Sequence, residues 1–76
     1  MRDLVLWLAR ELVEKKDAVK VDAIERDRAT VFELTVDPAD LGRVIGRGGK
    51  TAKALRAVLD AAARGEGRRA VLDILD

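Results

Sequence analysis

The sequence predicts an α+β fold, with three helices covering one face of a three-stranded sheet, in the order helix, strand, strand, helix, helix, strand. Three observations predict it. Segments 2–15 and 50–63 repeat apolar residues at helical spacing. Segments 18–26, 30–36 and 69–75 alternate apolar and polar residues, as half-buried strands do. Asp37-Pro38 marks a helix start, and Gly46-Arg47-Gly48-Gly49 ends that helix and opens the next.

Each element follows from its own residues. In segment 2–15, Leu4, Val5, Leu8, Ala9 and Leu12 share one face, while Leu6 and Trp7 fall off it and are expected to be half exposed. Val19, Val21 and Ala23 alternate with Lys20 and Asp22, and Phe32, Leu34 and Val36 alternate with Glu33 and Thr35. Asp27-Arg28 forms the turn between these two strands. Asp37 can cap the next helix, Pro38 fits its first position, and Asp40 favours its positive end. Leu41, Val44 and Ile45 form that short helix's apolar face, and Gly42 within it is read as permitting close packing.

The helix from Lys50 to about Ala63 turns Ala52, Leu55, Val58, Leu59 and Ala62 inward and Lys53, Arg56 and Asp60 outward. Residues 64–68 read as a flexible loop with charged ends. In the last strand Ala70, Leu72 and Ile74 point one way; Val71, Asp73 and Leu75 point the other. Two helices between strands 30–36 and 69–75 suit a crossover between parallel strands. Residues 1–76 make one domain.

Composition narrows the chemistry. A chain of 76 residues buries only about 60% of its unfolded surface, so a deep catalytic pocket is not expected. There is no cysteine and no histidine, which removes thiolate ligands and the commonest general base. No metal, cofactor or enzymatic activity is expected. The apolar run Leu4 to Ala9 is too short to span a membrane, and the charges of Asp3, Arg10 and Glu11 around it argue against a signal peptide. Lack of cysteine suits a cytoplasmic location.

The net charge of +1 hides an asymmetry. Residues 1–40 hold seven Lys/Arg and ten Asp/Glu, whereas residues 41–69 hold eight and two. The basic excess therefore lies on and after the glycine loop, an electrostatic footprint for a polyanion.

A Gly-x-x-Gly loop between helices lets a nucleic-acid backbone approach the main chain without a side chain in the way. Arg47 and Lys50 put positive charge where phosphate would lie, and amides near Gly48 and Gly49, with the helix start at Lys50, can meet it. Gly46 and Gly49 are the fixed glycines of the loop. Arg43, Lys53 and Arg56 are candidates for its flank, and Ile45 for an aliphatic groove wall. Arg64, Arg68 and Arg69 are expected to close the groove's other side. Trp7 and Phe32 are the only aromatics, and Phe32 reads as core. The chain therefore lacks a base-stacking platform, and sequence preference should be weak.

Val44, Ile45, Gly46 and Gly49 match the V-I-G-x-x-G signature, and the element order resembles a KH domain of type II (prokaryotic) topology. The length, the start Met-Arg-Asp-Leu-Val and the block from Asp37 to Ala54 resemble the bacterial KhpA family, over essentially the entire chain. The resemblance implies a small cytoplasmic single-KH protein that binds single-stranded RNA and acts as an RNA chaperone. It also implies a KhpB-type RNA-binding partner and effects on cell elongation and envelope homeostasis. Gly48 at the second variable position removes one possible cation, so phosphate contacts rest more on Arg47 and Lys50.

Two other classes compete. Gly49-Lys50-Thr51 superficially ends a nucleotide-binding loop, but the first glycine of that motif would stand at Val44, after a helix instead of a strand. A protein-interaction module, with the glycines serving only as a turn, would use Leu6, Trp7, Val31, Val71 and Leu75 as a homodimer or partner surface.

Overall fold

The computed structural model describes residues 1–76. Strands β1 (Lys20–Glu25), β2 (Ala29–Thr35) and β3 (Arg69–Ile74) form one sheet in the order β1-β2-β3. β1 runs antiparallel and β3 parallel to β2. The parallel pair is joined through α2 (Leu41–Ile45) and α3 (Lys50–Gly65), the crossover that the sequence predicts. Val21 stands opposite Leu34, and Phe32 stands beside Leu72. All four are buried beneath the helices. Ala23 shares that face opposite Phe32 but is exposed, contrary to the alternation reading. It lies on an edge strand and lines an open depression with Met1, Phe32 and Arg2, the first residue of the first helix.

The other sheet face is bare. Ile24, Val31 and Val71 form one row across the three strands, and Asp22, Glu33 and Asp73 form the next. None of these three carboxylates has an ion-pair partner within the chain. Like charges directly opposite one another are destabilising.

Helix α1 (Arg2–Leu12) buries Val5 and Ala9. It ends earlier than the 2–15 reading, because Val13 turns extended, with φ −100° and ψ 161°. The chain then passes through a 3₁₀ turn at Lys16–Ala18 into β1. Val13 is itself buried, so the apolar face continues past the helix end. In α3 the buried positions are Ala52, Leu55, Leu59 and Ala63. Val58, read as inward, is 46% exposed, and Ala63 takes the inward place expected for Ala62, which is half-buried. No helix is long and apolar enough to cross a membrane.

Asp37 behaves as a cap: its Oδ1 accepts the Ala39 N–H at 2.9 Å and starts a 3₁₀ turn, Pro38–Asp40, ahead of α2. Asp40 has a different role from the one its position suggests. It is 2% exposed, and its carboxylate accepts the N–H groups of Glu14 at 3.2 Å and Lys15 at 3.0 Å. Arg43 Nε lies 3.2 Å from the same group. Asp40 thus ties α2 to the backbone that leaves α1.

The Lys15 amide above all, then the Glu14 amide and the Arg43 and Lys15 charges, hold the Asp40 carboxyl below its ordinary value, against the opposing effect of burial. A carboxyl depressed in the fold stabilises it above the unfolded value of about 3.9 and loses that contribution as pH falls through the lower folded value. Thermal melts from about pH 5 downward should show this loss. Asp40→Asn should melt lower near neutrality and lose stability less steeply in acid. An unchanged acid limb in Asp40→Asn would contradict this role.

Gly42, the end of α3 and Arg68 also depart from expectation. A Cβ at Gly42 would meet nothing within 4 Å, so this glycine does not serve close packing. Helix α3 continues to Gly65, and Arg68 does not line the groove between α3 and β3 but the depression beside Ala23. Its Nη2 lies 2.7 Å from Glu25 Oε2 and donates to Ala29 O at 3.2 Å and Thr30 Oγ1 at 3.3 Å, which pins the β1–β2 turn.

Candidate nucleic-acid interface

The loop Gly46–Gly49 is shaped by three positive φ angles, 77° at Gly46, 62° at Gly48 and 78° at Gly49. Gly46 ends α2 by donating its N–H to Gly42 O at 2.8 Å. Its own ψ is 170°, a conformation essentially confined to glycine. A Cβ there would also sit 2.8 Å from both Cβ and N of Thr51. At Gly48 and Gly49 a Cβ would meet nothing, so one side of the loop is open main chain.

The Gly49 N–H is not free, however: it donates to Gly46 O at 3.1 Å, and the Lys50 N–H donates to Arg47 O. Of the amides expected to face phosphate, Gly49's is therefore already used. The loop's open backbone and the start of the 16-residue α3 remain for an anion to approach.

Around the loop, Arg47 and Lys50 are exposed and make no ion pair. Ile45, at the end of α2, is 37% exposed beside them. Lys50 and Lys53 follow at three-residue spacing on α3, one face of a helix. Lys53, Arg56, Ala57 and Asp60 then line a groove whose far wall is Arg69, Ala70, Val71 and Leu72 of β3. Arg56 Nε donates to Leu72 O at 3.3 Å, which shows that this carbonyl points out of the sheet edge into the groove.

Arg43 stands apart. It pairs with Asp40 and with Glu14, so its charge is answered within the fold and does not extend the cationic stripe. Sequence reasoning placed it on the flank subject to helix phase; Asp40 lies three residues back, whereas Glu14, 29 residues away, gives no local signal. Reasoning from spacing also missed Ala57, Asp60 and the β3 edge as groove walls. The outward reading of Asp60 and the placing of Arg69 on the groove's other side pointed that way.

The chain matches the family model described as KhpA/KhpB, KH domain, over residues 2–74. It is 50% identical over 76 residues to a protein named RNA-binding protein KhpA from Aquifex aeolicus, spanning all of this chain and 96% of that one. Proteins of the same name from Halalkalibacterium halodurans and Borreliella burgdorferi are 46% and 42% identical. The first alignment spans all of both chains, the second 97% of this chain and 90% of the relative.

Proposed function

Because the chain belongs to the KhpA/KhpB family of KH domains, we propose that it binds single-stranded RNA across the glycine loop and the α3–β3 groove. The observation that carries this reading is the run of unpaired cations, Arg47, Lys50 and Lys53, leading from an open backbone loop into a groove walled by a strand edge. The phosphates meet the loop, Arg47, Lys50 and the α3 start. The bases lie toward Lys53, Arg56 and β3, with Ile45 as an aliphatic wall. Gly46 holds the geometry, and Gly48 and Gly49 let the backbone approach. Arg43 acts through Asp40 and Glu14 and holds α2 in place.

Phosphate contacts release counterions, so log K should fall linearly with log salt, by about 0.7 per phosphate on a single strand. Three or four contacts give a slope of about −2 to −3. Titration at several salt concentrations, with single-stranded and duplex RNA, tests the reading. Salt-independent binding, or a preference for duplex, would defeat it.

So small a contact is weak alone, and joining a second RNA-binding unit can raise avidity by about a hundredfold or more. We therefore extend the proposal to an RNA chaperone that works as a homodimer or with a KhpB-type RNA-binding protein, in the cytoplasm. Post-transcriptional regulation bearing on cell elongation and envelope homeostasis is the corresponding cellular role. The α1–α3 cleft supports such assembly. Trp7, 58% exposed, and Val58 line it with Leu8, Leu12, Ala54 and Leu55. It is more apolar than the bare sheet face with its carboxylate row. Sedimentation of the protein alone and with a KhpB-type partner should show a complex that Trp7→Lys with Val58→Glu dissociates. A strict monomer in both mixtures would refute assembly.

A further inference from the structure

Asp60 is the one carboxylate in the groove, among Lys53, Arg56 and Arg69. A carboxylate on a phosphate path weakens binding, so its place fits a stretch of groove that meets bases. It follows Arg56 by four residues on α3, on the same helical face. The two do not pair. Arg56 turns to Leu72 O, and Asp60 Oδ2 lies 3.3 Å from Arg64 Nη2, outside the groove. Asp60 Oδ1 has no partner in the chain. Ala57, between them, contributes only a methyl group, and Val71 and Leu72 lie across the groove. An acceptor and a multiple donor therefore stand one helical turn apart beside the Ala57 methyl.

Resting on the RNA-binding reading, we propose that Asp60 and Arg56 read the Watson–Crick edge of one base in this groove and favour guanine over uracil. Guanine presents two adjacent donors, N1–H and the 2-amino group, which a carboxylate accepts together, Oδ2 using the lone pair left beside its exposed, weak pair with Arg64, and an acceptor, O6, for the Arg56 guanidinium. Adenine and cytosine offer one amino group. Uracil offers a single N–H between two carbonyls, which repel the carboxylate. A bidentate pair of this kind discriminates by about tenfold or more. The weak sequence preference expected from the lack of aromatics thus acquires a direction.

Fluorescence anisotropy with labelled seven-nucleotide oligouridines carrying one central variable base tests this. The wild type should bind the central guanosine about tenfold more tightly than uridine, with inosine, which lacks the 2-amino group, about threefold weaker than guanosine. Asp60→Asn should bring guanosine and uridine within about twofold, raise affinity for all-uridine RNA by removing negative charge, and lower the melting temperature by no more than about 4 °C through loss of the Arg64 pair. Asp60→Glu should restore part of the preference. Equal binding of all bases by the wild type, or an unaltered ratio in Asp60→Asn, would overturn the proposal while RNA binding stands. Failure of every oligonucleotide to bind would overturn both.

Discussion

Arg47→Asp combined with Gly48→Asp is expected to abolish RNA binding and leave the fold intact. The substitutions change the loop charge by three units, each opposite a phosphate. At about 4 Å in water each unit is worth about 1 kcal/mol, so the total is about 3 kcal/mol, or more than a hundredfold in affinity. The fold resists the change only through the left-handed backbone at Gly48. Arg47 is exposed and unpaired, and a Cβ at Gly48 meets nothing within 4 Å. Gly48 has φ 62° and ψ 20°, a left-handed conformation that aspartate tolerates better than most residues. Circular dichroism should be unchanged and gel-shift binding lost. Retained binding would remove the loop from the proposed interface.

The second large effect is structural. Gly46→Ala combines a backbone conformation essentially confined to glycine with a Cβ 2.8 Å from Thr51 Cβ and N. Strain and overpacking together cost about 3 kcal/mol or more. A chain of this size has roughly 4–11 kcal/mol in total. The melting temperature should fall by roughly 15 °C or more, and the displaced start of α3 should weaken RNA binding as well. Gly42→Ala is the control. That glycine is helical and open, so alanine should stabilise by about 0.5–1 kcal/mol. Equal melting temperatures for the two variants would refute the steric account of Gly46.

What could be read from the sequence was what depends on near neighbours. Alternation identified Phe32, Leu34 and Val36 as the inner face of β2 and its exit, and all three are buried. Helical spacing found Val5, Ala9, Ala52, Leu55 and Leu59. The glycine loop needed no tertiary information, because its backbone conformation is local. The misreadings share a cause: each depends on what another element brings alongside. Val58 satisfies the apolar spacing of α3, but α1 leaves it in an open cleft. Asp40 sits where a helix cap would, but its partners are Glu14 and Lys15. Arg68 reaches Glu25, 43 residues away, and so leaves the groove to Arg69. At the candidate interface, the cations were legible as residues. Which of them are already engaged, as Arg43 is, was legible only from the fold.

The row of Asp22, Glu33 and Asp73 across the bare sheet gives the molecule a definite valence. Cations gather at the glycine loop and groove, whereas the sheet side carries unpaired negative charge. Under the proposed function a single copy grips one strand on its cationic side, and the carboxylate row disfavours a second strand on the sheet side. Adding excess monomer to RNA should decorate strands without knitting them into a network, even at low salt. Bringing two RNA segments together then demands two joined copies or a partner with its own binding site. Under the proposed function, annealing activity should rise with the square of protein concentration for the free chain and become linear once the second unit is covalently tethered.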